Sequence, residues 1–280
     1  MPPQIATIET LRSLPRTLGA TWFESLEERK LEEAAFHDAD RMGRKDEAPG
    51  STPNRRFYEA AHIVSDYVDQ WLKARTPGAI FLDYACGNGS TSVAVARGGA
   101  ALAVGIDISA VSIANATESA SAAGVVGSTL FLQRDCENTG LPDQSFDAVL
   151  CSGMLHHVDL QRAFPELHRI LRPGGRILAV EALAYNPVIQ LYRELTPQYR
   201  TEWEKAHILS HRDLRFAKRW FDIASIKYFC FTSPLATLLP RPIRTAGVRL
   251  GHVIDEVLTR IPLIRLWSWQ FAFELVRRDD

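Results

Sequence analysis

Residues 80–90 read Ile-Phe-Leu-Asp-Tyr-Ala-Cys-Gly-Asn-Gly-Ser, and no other stretch restricts the fold and chemistry of the chain as tightly. An apolar run ends in an acid, Asp83, and passes directly into a small-residue turn holding Gly87 and Gly89. The pattern predicts a buried strand whose C-terminal end feeds a tight loop ahead of a helix. Glycine lets the backbone approach a ligand closely. A helix opening at Ser90 or Thr91 offers its unpaired N–H groups at the same spot. A nucleotide-like ligand is the natural occupant of such a loop.

The spacing separates two ligand classes. A dinucleotide loop needs a third glycine three places after the second, so that helix packs on strand and a pyrophosphate fits. Here that place is Ser92. The carboxylate of Asp83 would also repel a pyrophosphate, whereas a ligand carrying an ammonium and a sulfonium would be attracted. Other short apolar runs follow. Leu102–Ile106 ends in Asp107, about 20 residues past the glycine loop, where an acid accepts ribose hydroxyls at a second strand tip. Ser109 caps a helix over 110–123 that stops at Gly124. Leu130–Leu132 is a third strand, followed by Asp135 and Cys136. Phe146–Cys151 is a fourth, with Ser152 at its end. A helix over 159–171 stops at Pro173-Gly174-Gly175. Arg176–Glu181 is a fifth strand. Strands alternating with helices predict a parallel sheet covered on both faces, its ligand outside the carboxyl ends of the strands. Asp83, Asp107, Asp135, Ser152 and Glu181 all fall at such ends.

The glycine loop resembles the first motif of class I S-adenosylmethionine (SAM)-dependent methyltransferases. Leu141–Asp147, Leu155-His156-His157-Val158 and Leu171–Gly175 resemble the small-molecule, type 11-like branch of that family. The resemblance covers 80–181 strongly and the flanks weakly. It departs at Ala85, where the family usually has glycine; alanine is small but is expected to exclude a positive φ. The resemblance implies one Rossmann-like α/β domain over 1–280. Its seven-stranded sheet is mostly parallel with the last strand antiparallel. Residues 1–76 form a helical lid and 77–182 the SAM-binding core. Residues 183–222 and 233–266 are substrate-side insertions, and 223–232 and 267–277 are edge strands. The cofactor contacts it implies are Asp83, Ala85, Cys86, Gly87, Gly89, Asp107, Ile108, Asp135, Cys136 and Ser152, with Asp135 at the adenine amino group.

Net charge is −1, so no overall basic surplus exists to hold a nucleic-acid backbone. The fourth strand runs into Cys151-Ser-Gly-Met-Leu-His, not the Asn/Asp-Pro-Pro-aromatic motif of amino-methylating nucleic-acid enzymes. Cys86, Cys136, Cys151 and Cys230 form no CxxC pair, and buried free thiols are the expectation. No metal site is expected. No basic-then-apolar leader opens the chain and no run reaches the ~18 residues of a membrane span, so a cytoplasmic location is expected.

The flanks carry substrate choice. Residues 21–42 and 55–75 read as helices separated by a linker over 43–54. Phe36-His37-Asp38 and Tyr58 are candidate lid residues, with ordinary packing as the plainer alternative. Residues 185–205 mix Tyr185, Tyr192, Tyr199 and Trp203 with arginines, as binding loops at a ligand rim do. Ser210–Asp213 reads as a capping box for a helix ending near Phe221. Residues 233–266 place apolar residues at helical spacing between five arginines. Extra core, a dimer face, an acceptor wall and a membrane-surface helix all remain open.

Methyl transfer needs alignment, and a hydroxyl or amine acceptor also needs a base. The resemblance places His157 first, then His156 and the strand-five acid Glu181, at the acceptor; Tyr185, His37 and His211 are further candidates. These residues suit a small-molecule methyltransferase acting on a lipophilic or glycosylated metabolite, most readily at oxygen. A SAM-binding protein of the same fold with a regulatory or non-methylating role is the alternative.

Overall fold

The computed structural model describes residues 3–42, 59–197 and 200–278. Seven strands form one sheet: β1 (Ile80–Tyr84), β2 (Leu102–Asp107), β3 (Thr129–Gln133), β4 (Phe146–Ser152), β5 (Leu171–Ala182), β6 (Phe221–Phe229) and β7 (Gln270–Arg277). Their order is β3-β2-β1-β4-β5-β7-β6. All neighbours up to β5 pair parallel, while β7 runs antiparallel between β5 and β6. The expected seven-stranded α/β sheet is therefore present, with the antiparallel strand where it was expected.

β1, β2 and β3 are buried along their whole length, as strands covered on both faces must be. The two-residue period assigns the faces. Ile80, Leu82 and Tyr84 join Val149 and Cys151 in one core cluster with Phe164, Leu167 and Ile170 of a helix over Leu160–Ile170. Phe81, Ala148 and Leu150 join Trp71 and Leu72 on the other face. The first six α-helices among the described residues are α1 (Pro3–Ser13), α2 (Ala20–Glu24), α3 (Glu28–Met42), α4 (His62–Arg75), α5 (Ser90–Arg97) and α6 (Ala110–Ala122). Ser109 caps α6 by accepting from the Ser112 N–H at 2.9 Å, as its sequence position predicts.

Several boundaries differ from the sequence expectation. The helix expected over 21–42 is broken between α2 and α3. The Ser25 hydroxyl donates to the Trp22 carbonyl at 2.7 Å and closes α2 locally. The second expected helix is a short 3-10 turn at Glu59–Ala61 followed by α4; Phe57, Tyr58 and the linker lie outside the described residues. β5 begins at Leu171, because Leu171 pairs with Phe146 before the ladder breaks and resumes at Arg176. The Ser210 helix is shorter than expected, covering His211–Ala217, but its capping box with Asp213 is formed. β6 ends at Phe229 rather than 232. Cys230 takes φ 61°, and the N–H groups of Phe231, Thr232 and Ser233 turn onto the buried Asp255 carboxylate. β7 starts late because Ile264–Trp267 is a 3-10 turn.

Candidate active site

The glycine loop leaves β1 through three left-handed positions at alternate residues: Ala85 (φ 65°), Gly87 (φ 54°) and Gly89 (φ 76°). The expectation that alanine would exclude a positive φ is overturned. The turn must bring the Cys86 N–H onto the Ile106 carbonyl, 2.8 Å away, and Ala85 carries the strain, about 1–2 kcal/mol for a residue with a Cβ. Gly89 serves packing as well. A Cβ there would lie 2.7 Å from Ala116 Cβ and 3.0 Å from the Phe131 ring, so α6 and β3 could not approach the loop.

Three acids surround this loop. Asp83 accepts from the Ser92 N–H at 3.2 Å and its hydroxyl at 2.9 Å, both on Oδ2. Burial pushes its carboxyl up to about 6, with the Ser92 bonds only partly offsetting. Ser92, the residue that departs from the dinucleotide pattern, is thus the partner of that acid. Asp107 accepts from the Gly87 N–H on Oδ2 and the Ser109 N–H on Oδ1, both at 2.9 Å. Asp135 accepts from the Glu137 N–H at 2.9 Å. Cys86, Cys136, Cys151 and Cys230 are buried free thiols. Burial pushes the thiols of Cys86 and Cys136 well above their ordinary value, which leaves no thiolate nucleophile beside the loop.

Above the acids lies a cavity of about 150 Å³. Of the residues expected at the cofactor, Ala85, Asp107, Ile108, Asp135, Cys136 and Ser152 line it, and Asp83, Cys86, Gly87 and Gly89 lie in the loop beneath. Helix α3 closes the other side. Lys30 Nζ sits 2.7 Å from Asp135 and 2.8 Å from Glu137. Arg29 forks onto both Glu137 oxygens at 2.7 and 2.6 Å. Arg41 bonds Ser112, lies 3.5 Å from Asp107 and would stand 3.3 Å from a Cβ on Gly87. These cations keep the cavity below the roughly 300–1,000 Å³ usual for ligand sites. A larger cleft of about 890 Å³ lies at the far sheet edge, against α4 and β6; it is lined by Asp66, Asp255 and Glu256 and holds none of the strand-tip acids.

The two adjacent histidines have different surroundings. His157 lines the cavity and its Nδ1 lies 3.0 Å from Glu33 Oε2. His156 Nδ1 instead lies 2.6 Å from Glu181 Oε2. Burial opposes the His156 cation, but the charge and hydrogen bond of Glu181 together with the charge of Glu204 outweigh it and hold the imidazole above its ordinary range. Glu181 is fully buried, and its other oxygen accepts from the Met154 and Leu155 N–H groups at 2.9 and 2.7 Å. It therefore fixes the 154–157 turn that carries both rings. His37 also lines the cavity, 3.6 Å from Glu33, and burial lowers its pKa. Asp38 bonds the Ser109 hydroxyl, and Phe36 is partly exposed. Tyr185 and His211 sit together away from the cavity, with the His211 N–H donating to the Tyr185 hydroxyl at 3.0 Å.

Sequence reasoning missed Arg29, Lys30, Glu33 and Arg41. A signal was present: Lys30, Glu33, His37 and Arg41 recur every three or four residues, one polar face of α3. Glu33, His37 and His157 bring one potential ligand atom each within 4.8 Å of one another, as do His156, His157 and Glu204. Glu33 and His157 are 124 positions apart, so spacing could not group them.

Residues 82–179 match a family described as a methyltransferase domain. The 27-O-demethylrifamycin SV methyltransferase of Amycolatopsis mediterranei is 33% identical over 120 residues, 42% of this chain and 44% of that protein. The sterol 24-C-methyltransferase of Neurospora crassa is 27% identical over 225 residues, 80% of this chain and 53% of that protein. The chain thus spans about half the length of these curated relatives. The geranyl diphosphate C-methyltransferase of Streptomyces coelicolor A3(2), solved with Mg2+, geranyl diphosphate and S-adenosyl-L-homocysteine, superposes with a TM-score of 0.62 at 16% identity. That match covers 90% of this chain and 98% of the other, and shows a common fold. The strand order and the glycine loop agree with that match, and residues 82–179 resemble a methyltransferase domain.

Proposed function

We propose that the protein binds SAM over the glycine loop and transfers its methyl group to a small lipophilic or glycosylated metabolite, at oxygen. The observation that carries this reading is the single cavity shared by Asp107, Asp135 and His157. Asp107 keeps a free lone pair on each oxygen after its backbone bonds, which suits two ribose hydroxyls. Asp135, Ile108 and Cys136 would hold the adenine end. Asp83, with Ser92 on only one oxygen, would face the ammonium end, beside Ala85, Gly87 and Gly89. Ser152 lies on the acceptor side. Lys30 and Arg41 must shift off the acids for a ligand of this size, which gives α3 the role of a lid.

Bound there, SAM supplies a methyl group on a sulfonium, open to in-line displacement by an aligned nucleophile. His157 receives the acceptor's proton at Nε2, because its Nδ1 is turned to Glu33. Glu33 is held ionised despite burial by its bonds to His157 and Thr201, and so fixes the ring's tautomer. His156 and Glu181 are positioning residues for the turn. The test is S-adenosylhomocysteine production across a panel of hydroxylated lipophilic metabolites. His157→Gln should keep SAM affinity and lose turnover by roughly 10²–10⁴-fold. Full turnover in that variant would remove the base assignment. SAM binding without product from any acceptor would favour the non-methylating alternative.

A further inference from the structure

The insertion between β6 and β7 contains a helix, α12 in a count that includes α7 (Leu160–Ile170), α8 (Pro187–Leu195), α9 (Glu202–Ala206), α10 (His211–Ala217) and α11 (Ser233–Ala236); it spans Arg241–Leu258. Its inner face is fixed. Val248, Gly251 and Asp255 are buried, and a Cβ on Gly251 would lie 2.7 Å from Ser233 Cα. Asp255 receives three backbone N–H groups from 231–233. The core thus claims one side of the helix and leaves the other outside.

That outer side is apolar. Ile243, Leu250, Val253, Ile254, Val257 and Ile261 are all exposed, Val253 by 63% and Leu250 by 61%. At 3.6 residues per turn Ile243, Leu250, Val253, Ile254 and Val257 fall within about 100° of one another, a stripe separate from the buried side. Leu263 and Trp267, 76% and 47% exposed, extend it past the helix end. A stripe this long on the outside of a folded domain marks a contact surface.

Charge selects the partner. Residues 233–266 hold five arginines and two acids, and one of those acids is the buried Asp255. The whole chain is net −1, so the remainder is net negative and the positive charge is concentrated here. Arg249 borders the stripe and is exposed, with Arg260 just past the helix end, 3.7 Å from Glu256; Arg244 lies 3.4 Å from Glu59. Two copies meeting through this face would bring their arginines together. An anionic lipid surface accepts both features: apolar side chains enter the acyl boundary while arginines reach phosphate.

We propose that the Arg241–Trp267 face docks the protein on anionic bilayers, lying along the surface. No helix among the described residues is long and apolar enough to cross a membrane, which agrees with surface contact. The proposal does not rest on the methyl-transfer reading. The test is co-sedimentation of the full chain with vesicles of phosphatidylcholine alone and with about one-third phosphatidylglycerol. Binding should require the anionic lipid and weaken with salt. Leu250→Gln with Val257→Gln should lower partitioning by roughly tenfold or more, and Arg249→Gln by about fivefold. Both variants change exposed side chains, and an unchanged SAM titration and circular dichroism spectrum would show them folded. Absence of vesicle binding overturns the proposal. So does a dimer in light scattering that the Leu250/Val257 variant dissociates, which would assign the face to a second copy.

Discussion

Replacing Asp107 with alanine tests the ribose assignment with magnitudes set by the structure. The residue is 5% exposed and its two oxygens each hold one backbone N–H at 2.9 Å. The variant removes an ionised acceptor for two cofactor hydroxyls. At about 1.5–3 kcal/mol per charged hydrogen bond, the loss is roughly 3–6 kcal/mol, so Kd for SAM should rise between about 150-fold and 20,000-fold. One effect runs the other way, since Arg41 loses a competing partner. That pair is 3.5 Å apart and Arg41 keeps Ser112, so the gain stays within about 1 kcal/mol and cannot cancel the loss. The free protein should also weaken. The Gly87 and Ser109 N–H groups lose their acceptor beside a cavity that water can reach, about 2 kcal/mol together, or roughly 4–8 °C in Tm. Asp107→Asn keeps one carbonyl acceptor and should fall between parent and alanine in both readouts. Calorimetric titration with SAM and thermal melting read the two effects separately. A folded Asp107→Ala protein with unchanged SAM affinity would refute the ribose assignment and the reasoning from lone pairs.

Two further outcomes follow from the glycine loop. Asp83 is raised by burial to about 6 from 3.8, so its ionised form costs about 3 kcal/mol of stability above pH 6, and that cost vanishes as pH falls through 6 toward 3.8. Asp83→Asn should therefore melt higher than the parent at neutral and alkaline pH, converge with it in acid, and bind SAM more weakly; a variant less stable at neutral pH would show that the charge is satisfied by another route. Ala85→Gly should relieve the left-handed strain at φ 65° and, after glycine's entropic cost, gain about 1 kcal/mol, visible as a rise of roughly 2–4 °C in Tm, whereas a fall would mean the alanine methyl contributes packing that outweighs the strain.

The strand tips were legible in the sequence because each is written locally. An apolar run ending in an acid needs no partner to be recognised; Asp83 and Asp107 stand at the ends of β1 and β2 where the pattern put them, and Asp135 lies two residues past the end of β3. What could not be read is what faces those tips. Lys30 reaches Asp135 across 105 positions, and Glu33 reaches His157 across 124. Helical spacing marks α3 as having a polar face but does not say which surface that face meets. The adjacent histidines illustrate the same limit at short range. Their order is trivial in sequence, yet Glu181 captures the Met154 and Leu155 N–H groups and one imidazole, and only then does the other ring turn toward the cavity.

The lid face and the cofactor, on the reading proposed, draw on the same acids. Lys30 and Arg41 lie against Asp135 and Asp107, the two carboxylates assigned to adenine and ribose. SAM affinity is then a difference between two sets of interactions, one made within the chain and one made with the ligand. Breaking the buried Lys30 pair at 2.7 Å costs more than releasing the longer, less buried Arg41 contact at 3.5 Å, because close, desolvated partners lose more when separated. The adenine end is therefore the harder half of the site to open. Because Lys30 also meets Glu137 Oε2, while Arg29 holds both Glu137 oxygens, its ammonium can remain neutralised while leaving Asp135. Glu137 gives the lysine somewhere to stay, and α3 can release the adenine acid without leaving a buried cation unpaired.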